Sequence, residues 1–166
     1  MLLLLVRHAT AAEHDSVKYP DDALRPLVKK GRETHAGVSR LLRKRKLVPD
    51  AILSSPFKRA WQTAQIMSRE FAGKTKKKIK PRPAPSLARE PDLDALRQDF
   101  EGLDEARIVA LVGHEPWLST LASILLTGEP HRLVIDYPKS GVLGIETGGP
   151  QSGSGMLRFF LRPKLL

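Results

Sequence analysis

The sequence predicts an α/β fold: a three-layer sandwich with a mainly parallel central sheet flanked by helices. Three observations predict it. Residues Leu2–Val6 and Ile108–Val112 are continuously apolar runs of strand length, the pattern of strands covered on both faces. Between them lie stretches whose apolar residues recur at helical spacing, and an alternation of strands with helices implies a layered, parallel arrangement. Finally, 166 residues suffice for one hydrophobic core and are too few for two typical ones, so residues 1–166 are expected to form a single domain.

Taken in order, Leu2 to Val6 reads as the first strand, stopped by Arg7. Residues 9–26 are polar, contain Pro20 and Pro26, and read as a loop. A helix is predicted from about Val28 to Leu47, with Val38, Leu41 and Leu42 on one stripe and Pro49-Asp50 ending it. Ala51–Leu53 is a short strand before Ser54-Ser55-Pro56, where Ser55 suits a helix cap and Pro56 its first turn. The helix that follows is marked by Phe57, Ala60, Trp61, Ala64, Met67 and Phe71. Residues 74–82 form a basic, solvated loop. Leu93, Leu96 and Phe100 place a helix over 92–101, and Ile108–Val112 is a second buried strand. Gly113-His114-Glu115-Pro116 then turns into a helix carrying Leu118, Leu121, Ala122 and Leu125, stopped by Gly128. The segments Leu133–Ile135, Val142–Ile145 and Met156–Leu161 read as short strands joined by turns.

Composition narrows the function classes. The chain has no cysteine, which excludes disulfides and thiolate metal sites. The opening apolar run of six residues is too short to span a bilayer and has no basic leader, so a cytoplasmic protein with no membrane partner is expected. The formal charge of +10 suits nucleic acid, anionic lipid or a phosphorylated partner. Much of it is local, in residues 40–46 and 74–82, which read as a helix end and a solvated loop. An aromatic content of 5% offers few stacking platforms, and no nucleic-acid motif is present, which argues against a nucleic-acid partner. The sequence carries no signal for oligomeric state.

In sheets of this type, ligands bind outside the carboxyl ends of the strands. His8 follows the first strand, His114 follows Ile108–Val112, and Arg59 lies in the first turn of a helix that follows Ala51–Leu53. A neutral imidazole can attack phosphorus, a guanidinium beside it offers donors to phosphate oxygens, and free amides at a helix start favour an anion. Each feature alone also has a structural reading, as a hydrogen-bonded or solvated side chain; the weight lies in the combination. His14, His35 and His131 have no comparable setting and read as surface or capping residues. His8 and His114 lack a third ligand motif nearby, so no metal is expected.

Three segments carry a resemblance: Leu-Val-Arg7-His8-Ala9, Ser55-Pro-Phe-Lys-Arg59-Ala-Trp-Gln-Thr63-Ala64 and Leu-Val-Gly113-His114-Glu115-Pro116. In this order and at these separations they resemble the histidine phosphatase superfamily, whose founding members include cofactor-dependent phosphoglycerate mutase, and in particular its short SixA-like phosphohistidine phosphatases. Ala9, where the wider superfamily usually has Gly, is more like the SixA-like branch. The resemblance implies that His8 is the nucleophile, that Arg7, Arg59 and His114 form the phosphate pocket, and that neither metal nor cofactor is needed. The family's general acid, often a Glu before the second histidine, has its candidate in Glu90 of Ala88-Arg89-Glu90-Pro91-Asp92.

The chain has little length for a lid, so an open basic site is expected, suited to phosphohistidine on a partner protein. A general phosphomonoesterase acting on a small phosphoester is the alternative. A mutase would need further basic groups and a larger cap. A module that binds phosphorylated or nucleic partners without turnover is the rival from another class.

Overall fold

The computed structural model describes residues 1–73 and 78–163. Among these residues, six strands and four α-helices follow in the order β1 (Leu2–Arg7), α1 (Lys29–Lys44), β2 (Ala51–Ser54), α2 (Lys58–Ala72), β3 (Arg82–Pro83), α3 (Leu93–Asp99), β4 (Ile108–Gly113), α4 (Trp117–Thr127), β5 (Val142–Glu146) and β6 (Met156–Leu161). The strands form one sheet in the order β3-β2-β4-β1-β5-β6. Three pairings are parallel, β3 with β2, β2 with β4 and β4 with β1, whereas β5 runs antiparallel to both β1 and β6. The sheet is therefore mixed rather than mainly parallel, because after α4 the segment 128–141 carries the chain back to the carboxyl end of β1, so that β5 starts there and runs antiparallel to it, and β6 then folds back on β5 as a hairpin.

Burial explains the unbroken apolar runs. In β1, Leu3 and Leu5 pack into one core with Leu96 of α3 and Leu118, Leu121, Ala122 and Leu125 of α4. Leu4 and Val6 face the other way, against Val38 and Leu42 of α1 and Ala60, Ala64, Met67 and Phe71 of α2. Strand alternation thus feeds two cores, and neither face tolerates a polar residue. All four of these β1 side chains are fully buried, and each such burial stabilises by roughly 1.5–3 kcal/mol.

Several sequence expectations change. The segment Leu133–Ile135 is not a strand: Val134 is fully exposed, and the amides of Arg132 and Leu133 donate to Ser123 Oγ at the end of α4. The place beside β1 is taken by β5. The first α2 residue is Lys58, with Phe57 as cap and Pro56 outside the helix; the Ser55 hydroxyl has another partner, described below. Strand β3 went unseen because its two residues, Arg82 and Pro83, carry no apolar pattern. His35 is neither a surface nor a capping residue: it is fully buried within α1, and neither ring nitrogen has a hydrogen-bond partner among the described residues. The basic loop 74–82 is described only from residue 78 onward. Among the described residues, no helix is long and apolar enough to cross a membrane.

Candidate functional site

Strand register builds the site. Arg7 is aligned with Gly113 across the parallel β1/β4 pair, and His8 N donates to Gly113 O at 3.0 Å. His8 and His114, each one residue beyond its strand, are therefore neighbours, with ring centroids 5.0 Å apart. On the other side of β4, Ser55 N donates to Val112 O, which brings the Ser55 hydroxyl to 2.8 Å from His114 Nε2. Phe57 completes the wall, its ring 5.0 Å from that of His114 and 5.2 Å from the Arg59 guanidinium carbon.

The tautomer of His8 follows from its partner. Nδ1 lies 2.7 Å from Ala9 O, and since a carbonyl only accepts, the proton is on Nδ1 and Nε2 keeps its lone pair. Burial, then the nearby Lys139, His114 and Arg59, pushes the His8 pKa down to about 2. Burial likewise pushes His114 down to about 3, with Arg59 and Lys139 adding to it. Both rings are neutral at ordinary pH, because a second positive charge in a buried basic site is disfavoured.

One face of α2 organises the loop between β1 and α1. Arg59 Nη1 donates to Asp22 O at 2.8 Å and pairs with Asp22 Oδ2 at 2.9 Å. Gln62 Oε1 accepts from Leu27 N and Arg32 Nη2, and Thr63 Oγ1 accepts from Ala9 N. These three residues stand at i, i+3 and i+4, the spacing that places side chains on one helix face. Gly31 of α1 lets the loop close on it, since a Cβ there would sit 2.2 Å from Thr10 O.

Arg7, His8, Arg59 and His114 thus converge. Arg7 donates to Tyr137 O, and buried Arg7 Nε, Arg59 Nε and His114 Nδ1 have no hydrogen-bond partner among the described residues. Glu90 is exposed in the bend before α3, and no hydrogen bond or ion pair ties it to the four among the described residues. Glu115 is closer in sequence to the site, but its carboxylate is engaged by Ser119 N and Ser119 Oγ. No group of three or more His, Cys, Asp or Glu is placed to hold a metal among the described residues.

The sequence reading missed Lys139, whose Nζ lies 3.2 Å from His8 Nε2. With a parallel last strand, residue 139 would stand at the far end of the sheet. Because β5 is antiparallel to β1, its beginning meets the end of β1 instead. The signal that could have found it is the Pro138-Lys139-Ser140-Gly141 turn before an apolar run.

Comparison with known proteins agrees with this geometry. A family model described as the histidine phosphatase superfamily (branch 1) matches residues 3–83. An uncharacterized protein of Picosynechococcus sp. strain PCC 7002 is 33% identical over 152 residues, covering 89% of this chain and 86% of that protein. Among solved structures, the protein histidine phosphatase SixA complexed with tungstate superposes with a TM-score of 0.80 at 22% identity, with 99% of each chain covered. A protein of Agrobacterium tumefaciens assigned as a phosphohistidine phosphatase SixA gives 0.73 at 25% identity, covering 98% of this chain and 97% of that one.

Proposed function

The chain belongs to the histidine phosphatase superfamily, and from that premise we propose that it removes phosphoryl groups through a phosphohistidine intermediate on His8, with phosphohistidine on a partner protein as its substrate. The observation that carries this reading is the state of His8: a neutral, buried imidazole whose Nδ1 is held by Ala9 O and whose Nε2 lone pair faces the cationic side of the site. That is a nucleophile fixed in one tautomer.

Nε2 attacks phosphorus in line while Arg7, Arg59 and His114 bind the peripheral oxygens. Three buried polar atoms at the site that have no partner among the described residues, Arg7 Nε, Arg59 Nε and His114 Nδ1, support an anion as the occupant, because an unpaired buried polar atom costs about 1–3 kcal/mol. Asp22 is set aside from Arg59 as the phosphate arrives. The electron pair of the broken bond departs with the leaving group. Water then attacks the phosphorus of phosphorylated His8, the nitrogen–phosphorus pair returns to Nε2, and inorganic phosphate leaves. Catalysis is by positioning and fixed charge.

The choice of phosphohistidine rests on the leaving group. An imidazole whose other ring nitrogen carries a proton departs neutral and needs no acid, whereas an alkoxide does. Glu90, the carboxyl acid proposed from the sequence, is exposed and, among the described residues, bonded to none of the four, which favours the first kind of substrate. The printed names of the solved relatives, SixA protein histidine phosphatase and phosphohistidine phosphatase, point the same way.

The test is phosphate release from a phosphohistidine protein and from p-nitrophenyl phosphate, in EDTA, by wild type and His8→Ala. Release from the phosphoprotein that resists the chelator and is lost in the variant is expected. Faster release from the ester would make the protein a general phosphomonoesterase. Binding of the phosphoprotein without turnover by wild type would make it a recognition module.

A further inference from the structure

The turn that carries Lys139 is fixed from several directions. Arg7 N donates to Gly141 O at 3.1 Å, Ser140 N to His8 O at 3.3 Å, and Gly141 N to Pro138 O at 2.9 Å. The Tyr137 ring is buried beneath it, its hydroxyl bonded to Leu5 O and accepting from Leu143 N. A Cβ at position 141 would meet Pro138 O at 2.9 Å and the Tyr137 ring at 3.0 Å, so the turn has no slack. Its one long side chain, half-buried Lys139, ends 3.2 Å from His8 Nε2. With the His8 proton on Nδ1, the ammonium is the donor and the Nε2 lone pair the acceptor.

This contact occupies the direction from which His8 would attack. Building on the reaction proposed above, we propose that Lys139 is a further catalytic residue: its ammonium holds the Nε2 lone pair of free His8, moves onto a phosphoryl oxygen as the nitrogen–phosphorus bond forms, and returns to Nε2 as that bond breaks. Nothing is consumed. In the first half-reaction the Nε2 pair becomes the bond to phosphorus and the leaving group takes the old bond pair. In the second, water oxygen supplies the new pair to phosphorus, its protons pass to phosphate and solvent, and the old pair returns to Nε2. Lys139 keeps its proton throughout, as His8 keeps the proton on Nδ1. The ammonium supplies a mobile charge-assisted hydrogen bond where Arg7 and Arg59 are anchored to the backbone carbonyls of Tyr137 and Asp22.

The groups around Lys139 give the proposal a pH signature. Arg7 faces it from the end of β1, His8 from the residue after it, Arg59 from α2, Arg25 from the loop before α1, and His114 and Glu115 from the turn into α4. Burial and the three arginines push the lysine down to about 8, against Glu115, which raises it. Loss of the ammonium charge should therefore appear as a fall in activity above about pH 8.

The experiment is rapid-quench kinetics with p-nitrophenyl phosphate and with a phosphohistidine protein, from pH 6.5 to 9.5, following phosphorylated His8 in wild type, Lys139→Met and Lys139→Arg, with His8→Ala as control. We expect Lys139→Met to slow formation and decay of the phosphoenzyme by about 10²-fold, the scale of losing one donor to a transition state, and to lack the alkaline fall. Lys139→Arg, which keeps its charge to higher pH, should recover at least tenfold over Lys139→Met and remain active beyond pH 9. Should Lys139→Met fail to fold by circular dichroism, the alkaline limb of Lys139→Arg decides: a limb unchanged from wild type overturns the role. Wild type that forms no phosphoenzyme removes the underlying reaction itself. Wild type that forms it, while Lys139→Met turns it over within twofold at every pH, removes Lys139 alone.

Discussion

Thr63 accepts the backbone N–H of Ala9 at 3.1 Å while its own hydroxyl donates to Arg59 O at 2.7 Å. One side chain in the second turn of α2 therefore fixes the residue immediately after His8. Thr63→Val keeps the shape and removes the bond, leaving a buried N–H without an acceptor. We expect a loss of about 1–3 kcal/mol in urea unfolding, accompanied by a fall in kcat as His8 loses its seat. A variant as stable as wild type would show that Ala9 N finds another partner.

How far the site could be read before folding depended on strand direction. Arg7 ends a parallel strand and His8, Arg59 and His114 follow such strands, so the rule that ligands gather at carboxyl ends was enough to propose all four together. Lys139 precedes an antiparallel strand, so the same rule misplaced it. Both apolar runs that became β1 and β4 were legible because each is buried on two faces, whereas Leu133–Ile135 has similar composition and lies partly exposed. Helical spacing does mark the position of His35, three residues before Val38 and seven before Leu42 on the buried face of α1, but a polar residue type there gives no apolar signal, so its burial was not read.

Ser55 holds His114 through a 2.8 Å contact to Nε2 and also accepts from Phe57 N at 3.3 Å. Ser55→Ala should lower kcat/KM by roughly fivefold, the equivalent of about 1 kcal/mol for one hydrogen bond. The loss should lie mainly in kcat. Steady-state kinetics from below KM to saturation test this; an effect confined to KM would mean that Ser55 aids binding without orienting the ring.

Asp22 is an internal competitor for Arg59. Asp22→Asn takes away the charge while keeping the side chain's size, and inorganic phosphate should then bind about two- to fivefold more tightly, as expected for a partly exposed pair worth under about 1 kcal/mol. Calorimetric titration gives the affinity. Weaker binding in the variant would identify the carboxylate as an organiser of Arg59 instead.

Three buried histidines set the acid limit of stability. His8, His35 and His114 have folded pKa values pushed by burial from 6.5 down to about 2, 3 and 3. Between pH 6.5 and about 3 the unfolded chain binds protons that the folded one refuses, so stability is full above 6.5 and falls as the solution is acidified, by up to about 1.4 kcal/mol per pH unit for each histidine. His35→Leu should make the decline in urea midpoint between pH 7 and 4.5 about one-third shallower. An unchanged slope would show that His35 does not contribute to it.

The bond from His8 Nδ1 to Ala9 O also has a chemical consequence. An imidazole offers two nitrogens to an electrophile, and here one is already spent on the backbone. Any covalent adduct at this residue must therefore form as a single regioisomer, substituted on the nitrogen remote from the main chain. The fold discriminates between two chemically similar atoms by tethering one of them.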